Sequence, residues 1–133
     1  MTDSTQSRTT ITNLGVVMFT IADQDEALRY YTEKLGFEVR SDTRFGEGDA
    51  MRWLEVAPPG SNARIALNEP MGGGAPGGGS IGVETNDVRG EHQRLKGLGD
   101  VDVDADLMDA PGAPTMFCLR DPDGNHIWVV ETP

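Results

Sequence analysis

Residues 22–37 read ADQDEALRYYTEKLGF, and this stretch decides the fold. Asp23 stands where a helix can begin, because its carboxylate accepts the free amide protons of the first turn. Gly36 stands where a helix commonly ends. The apolar residues between them recur on one helical face: Ala27, Leu28, Tyr31 and Leu35. The stretch therefore predicts an amphipathic helix that packs one side against a core.

Strand-like segments surround this helix. Residues 14–21 form a short apolar run rich in Val, Ile and Phe, which indicates a buried strand. Three further strands are predicted at residues 37–44, 51–57 and 63–68, with a Pro-Pro-Gly turn at 58–60. The first half of the chain thus has the order strand, helix and three strands.

The second half repeats this order. A strand is predicted at residues 80–85, and Asn86 and Asp87 offer a cap for a helix that ends near Leu98. Further strands are expected at residues 101–106, 115–120 and 126–130, the last two joined by the sequence DPDGN.

Landmarks of the two halves are also separated by a constant distance. The pairs are 64 residues apart (87 − 23, 122 − 58 and 124 − 60): Asp23 with Asp87, Pro58 with Pro122, and Gly60 with Gly124. Such a repeat indicates a duplicated unit. The predicted fold is α+β, with two tandem βαβββ modules at 14–70 and 80–133, a loose Gly-rich linker at 71–79 and a flexible tail at 1–13.

Composition limits the partners. The chain has 133 residues, enough for one domain, and 22 acidic against 11 basic side chains give a formal charge of −11. That charge disfavours nucleic acid and anionic membranes; it is typical of a highly soluble protein, and attraction of a cationic ligand is the alternative interpretation. One cysteine and a polar N-terminus without an apolar run predict a cytoplasmic protein with no membrane span.

The stretch 23–37 and the closing sequence LRDPDGN at 119–125 resemble the vicinal oxygen chelate superfamily. That superfamily includes glyoxalase I, extradiol dioxygenases, fosfomycin-resistance transferases, epimerases and bleomycin-resistance proteins. The resemblance implies that each module curls into a half-barrel, that the two concave faces enclose a cavity, and that the protein is a homodimer. Since many functions share this fold, the resemblance alone selects none of them.

Strand alternation assigns side chains to the implied cavity. If Val17, Phe19 and Ile21 pack under the helix, alternate residues face the ligand. Apolar walls and a few polar contacts are expected from eight residues: Met18, Thr20, Trp53, Asn68, Ser80, Glu84, Met116 and Trp128.

The resemblance also implies four positions for a divalent metal: Val16, Ala66, Ser80 and Trp128. A metal that acts as a Lewis acid needs imidazole nitrogen or carboxylate oxygen there. Val, Ala and Trp offer no donor and a neutral Ser hydroxyl is a poor one, so no metal and no other cofactor is expected. The acidic residues of 100–106 also lack the Gly and Glu positions of an EF-hand loop.

Three other reactive side chains have ordinary structural interpretations. His92 is expected as a hydrogen-bonded core residue, His126 as a solvated residue after a turn, and Cys118 as a small buried hydrophobe.

The favoured function is a metal-free binding protein that sequesters a cationic or hydrophobic metabolite or antibiotic, as the bleomycin-resistance members do. The alternative is an enzyme, a lyase, isomerase or dioxygenase-like protein that uses a metal or has Glu84 or His126 as general base. A third possibility is a structural or regulatory dimer without a ligand-sized cavity.

Overall fold

A computed structural model describes residues 8–70 and 74–133. The first part of the expected tail (1–7) and the start of the expected linker (71–73) lie outside the described residues. The first module contains β1 (Val16–Thr20), α1 (Gln24–Arg29), β2 (Glu38–Phe45), β3 (Met51–Ala57) and β4 (Arg64–Asn68). The second contains β5 (Ser80–Thr85), α2 (Val88–Leu98), β6 (Asp102–Val103), β7 (Met116–Arg120) and β8 (His126–Glu131).

Each module folds into its own four-stranded sheet. The strand orders are β1-β4-β3-β2 and β5-β8-β7-β6. In both sheets the first strand runs parallel to the last strand of its module, and the remaining pairs are antiparallel. This is the repeated βαβββ order predicted from the sequence, so the α+β fold class is confirmed. The two sheets remain separate and do not close into a barrel.

Both predicted helix caps are present. The Asp23 carboxylate accepts the amide proton of Glu26 at 3.0 Å, and the Asp87 carboxylate accepts that of Gly90 at 3.0 Å. The first helix differs from expectation after Arg29, where the chain widens into a π-helical turn at Tyr30–Lys34. This turn carries two consecutive tyrosines whose hydroxyls both bond to the second module.

One hydrophobic core serves both modules. It lies on the helix side of the two sheets and includes Tyr31, Leu54 and Val56 from the first module with Leu95 and Phe117 from the second. Burying apolar surface of this kind is the main favourable term in folding. Since the modules share one core, the opposite face of each sheet points away from it. That face is called here the open face of the sheet.

Two details differ from the sequence prediction. The strand expected at 101–106 is only Asp102–Val103, because the amide proton of Cys118 goes to the Asp104 carboxylate instead of a strand carbonyl. The linker is not loose at its end. The amide of Gly77 donates to the Thr20 carbonyl at 2.9 Å, and that of Gly79 to Asn125 Oδ1 at 2.9 Å.

Among the helices of the described residues, none has the length and apolar character needed to cross a membrane.

Candidate ligand-binding site

A cleft of about 840 Å³ lies along the free edge of β5. Strand β5 contributes every residue from Ser80 to Glu84, and the first module contributes the start of β4 and the turn before it. Most of the walls are apolar: Leu14, Val17, Ile65, Ile81, Val83 and Val130. Within residues 8–70 and 74–133, the charged groups in the lining are Arg64 and Glu84. Small-molecule sites typically have about 300–1,000 Å³ and this mixture of apolar walls with few polar groups.

Val17 belongs to this cleft rather than to the core. Phe19 and Ile21 pack under the helix as expected, with 2% and 0% exposure, but Val17 is 36% exposed. The reason is its place near the start of β1, where the strand borders the cleft.

The four expected site residues of the first module share the open face of its sheet. Met18 pairs with Ala66 and Thr20 with Asn68 in the parallel register, while Glu55 stands opposite Ala66. Trp53 lies two residues before Glu55 and therefore points to the same side. Met18 is 62% exposed there.

The four expected residues of the second module form a separate group. Ser80, Glu84, Met116 and Trp128 share the open face of the second sheet, where Glu84 pairs with Val130 and Val130 with Met116. Of all eight residues, Ser80 and Glu84 line the large cleft, and the other six lie outside its lining. A single chain therefore does not gather the expected residues into one enclosed cavity, because its sheets share a core on their helix sides.

The four family metal positions do not fit a divalent ion. Val16 and Ala66 lie on the open face of the first sheet, with Ala66 fully buried, while Ser80 and Trp128 lie on that of the second. Ala66 and Val16 have no donor atom to offer. Nor do any three His, Cys, Asp or Glu side chains of residues 8–70 and 74–133 come together in a way that could hold a metal. The donor set that Lewis-acid chemistry requires is thus missing from these positions.

A polar cluster of Trp53, Glu55 and Arg64 occupies the first module's open face instead. Glu55 is only 7% exposed. Its Oε2 accepts the indole N–H of Trp53 at 2.9 Å, and its Oε1 accepts the Nε–H of Arg64 at 2.8 Å. A buried carboxylate needs such partners. Sequence reasoning missed Glu55 and Arg64, although the period-two alternation that selected Trp53 also selects Glu55.

The remaining reactive side chains lie as expected. His92 is 6% exposed, contacts the Asp104 carbonyl through Nε2 at 2.7 Å and packs 4.7 Å from the Phe117 ring. His126 is exposed, and Cys118 is buried. Burial raises the pKa of the Cys118 thiol, so the reactive thiolate is disfavoured.

Two tandem βαβββ modules, a shared core and a cleft between them define a class of α+β proteins built from a duplicated unit. The family model described as "Glyoxalase/Bleomycin resistance protein/Dioxygenase superfamily" matches residues 13–129, and the chain belongs to this family.

Relatives of known sequence or structure are similar to this chain over most of its length. The uncharacterized protein YetH of Bacillus subtilis is 30% identical over 120 residues, which cover 86% of this chain and 94% of that protein. TnmS3, an antibiotic binding protein from a Streptomyces species, is 28% identical with a TM-score of 0.81, covering 95% of this chain and 100% of its own. A superfamily member from Sphaerobacter thermophilus is 29% identical with a TM-score of 0.81, covering 92% and 98%.

Proposed function

We propose that this protein binds a small hydrophobic or cationic molecule, a metabolite or an antibiotic, without a metal. The observation that carries the proposal is the cleft along β5, which has the volume and apolar walls of a ligand site. The similarity to an antibiotic binding protein over 95% of the chain supports the same class of function.

Glu84 is the group proposed to attract a cation. It lines the large cleft and also two smaller neighbouring pockets of about 380 and 230 Å³. The formal charge of −11 adds a long-range attraction for cations. On the same open face, the indole of Trp128 offers a surface for cation–π contact, which contributes on the order of 1 kcal/mol.

A homodimer is part of the proposal. Several large apolar side chains are exposed on the open face of the first sheet, among them Met18 at 62% and Met51 at 40%. A second copy that covered the open faces would remove this surface from water, which is favourable. Light scattering should give twice the chain mass of 14.3 kDa. A monomeric mass at micromolar concentration would contradict the proposed homodimer.

The cytoplasm is the proposed compartment, because the single cysteine, Cys118, is buried and free.

Calorimetric titration tests the function. Bleomycin and a panel of cationic aromatic compounds are the ligands, and at least one should give saturable heat. Glu84→Gln should weaken binding of that cation by about threefold to tenfold, since an exposed carboxylate contributes modestly. Glu33→Gln is the matched control, because it removes the same charge from an exposed helix position outside the cleft lining.

Two outcomes would overturn the proposal. One is a flat response to all compounds at millimolar concentration. The other is a stoichiometric metal found by elemental analysis of untreated protein, which would favour the enzymatic alternative.

A further inference from the structure

Arg64 is the cationic group in the lining of the large cleft, and it is held in one orientation. Its Nε–H donates to Glu55 Oε1 at 2.8 Å, and Glu55 is itself fixed by the Trp53 indole at 2.9 Å. Glu55 is buried, and it lies on β3, which is held between β4 and β2 in the sheet. The guanidinium is therefore anchored through one edge by a carboxylate that cannot easily move.

The terminal nitrogens of Arg64 remain available. Within the described part of the chain, the Nε bond to Glu55 is the one hydrogen bond that the Arg64 side chain makes, and this side chain is 37% exposed. A guanidinium has five N–H donors in a planar fork, so four remain beside the one that Glu55 accepts. A planar fork of this kind matches the two oxygens of a carboxylate, sulfonate or phosphate.

The surroundings of Arg64 complete a subsite. Ser80 lines the same cleft and brings a hydroxyl group, while Ile65 and Val17 supply apolar surface in the lining. Glu84, at another position of the lining, has the opposite charge. Among the residues that the structure describes, the cleft thus presents one cationic and one anionic side chain to its occupant.

We propose that Arg64 binds an anionic oxygen group of the ligand, so that the cleft takes molecules with a hydrophobic body and an acidic group. This inference rests on the proposed small-molecule function and refines it. Glu55 and Trp53 hold Arg64 in place, and Glu84 is left to a basic group of an amphoteric ligand.

Two dyes with one aromatic skeleton test the proposal. Anilinonaphthalene sulfonate carries an anionic group, and N-phenylnaphthylamine lacks it. Fluorescence titration of the wild type should show saturable binding of both. Arg64→Gln should weaken binding of the sulfonate by about tenfold, because a charge-assisted hydrogen bond is lost, and leave the neutral dye within about twofold.

Two control variants distinguish the loss of the Arg64 contact from a change in net charge and from a loss of folding. Arg44→Gln removes the same charge from an exposed position on β2 outside the cleft lining, and it should leave both affinities unchanged. The double variant Glu55→Gln/Arg64→Gln keeps the formal charge at −11 and leaves no unpaired buried carboxylate. It should show the same selective loss as Arg64→Gln, with a cooperative thermal transition as evidence of folding.

The outcomes distinguish this inference from the proposed function. If neither dye binds the wild type, the small-molecule function falls and this inference with it. If the neutral dye binds but the sulfonate responds equally to Arg64→Gln and Arg44→Gln, the function stands and the role of Arg64 is refuted. A parallel loss of both dyes in the two Arg64 variants would also refute it.

Discussion

The Tyr31 hydroxyl donates a hydrogen bond to Asp121 Oδ2 at 2.9 Å and so joins the helical segment of the first module to the last turn of the second. Both residues are buried, at 0% and 4% exposure. Among the described residues, the other donors to Asp121 come from its own turn: the amides of Asp123 and Asn125 and the Asn125 side chain. Burial, followed by the charge of Asp121, raises the pKa of Tyr31 far above its usual range, so the phenol stays protonated and able to donate.

Tyr31→Phe should therefore lower the free energy of unfolding by about 1–3 kcal/mol, because the buried carboxylate loses its donor from the other module. Urea unfolding followed by circular dichroism measures the change. Tyr30→Phe is the matched control. Its hydroxyl donates to the neutral Arg120 carbonyl at 3.0 Å, so its loss should cost less, about 0.5–1.5 kcal/mol. Equal losses in the two variants would contradict the special role of Asp121.

This contact marks the limit of what the sequence could predict. Caps and strand alternation are local signals, and they located Asp23, Asp87 and the strands β3 and β5 correctly. The partner of Tyr31 lies 90 residues away in the chain. No local pattern records which surface of one module meets the other.

The candidate site shows the same contrast between local signals, which the sequence records, and long-range contacts, which it does not. Alternation assigned Met18, Trp53, Ser80 and Trp128 to sheet faces, and the strand registers agree with that assignment. It could not tell whether the two faces meet within one chain. The pairing of Glu55 with Arg64 was equally hidden, since it depends on the register between β3 and β4.

Gly79→Ala should destabilise the protein, because the Gly-rich segment is tightly packed at this residue. A Cβ at Gly79 would lie 2.5 Å from Phe19 Cδ1 and 2.8 Å from Asn125 Oδ1. Overpacking of this kind costs about 1–3 kcal/mol, measured by urea unfolding. Gly97→Ala is the control, because it meets no atom within 4 Å and lies in α2, where alanine should be neutral or slightly stabilising. An unchanged free energy of unfolding in Gly79→Ala would indicate instead that the Gly-rich segment is loosely packed at this residue.

Asp123 should make stability depend on pH. Burial raises its pKa above 3.8, and the Ala22 amide bond offsets part of this effect. Since the folded pKa is the higher one, the contribution of Asp123 is complete below pH 3.8 and is lost as the pH rises through the folded value. Asp123→Asn keeps an oxygen acceptor for Ala22 but cannot ionise.

The urea midpoint of Asp123→Asn, relative to wild type, should therefore be higher at about pH 7 than at about pH 3. Asp106→Asn, at an exposed position with no hydrogen bond among the described residues, should show no such difference. If the midpoint of Asp123→Asn relative to wild type is the same at both pH values, the pKa of Asp123 is not raised in the folded protein.

Divalent metal should have no effect on the thermal midpoint, because Val16 and Ala66 lack donors and the described residues assemble no cluster of metal ligands. A ligand that binds the folded state alone at a hundredfold excess over its Kd stabilises it by about 2.7 kcal/mol, which is several degrees for a chain of this length. Scanning calorimetry of tag-free protein with EDTA, and then with excess zinc, nickel or manganese, checks the expectation. A rise of several degrees with one metal would show a site, and loss of that rise in His126→Gln or Glu84→Gln would locate it.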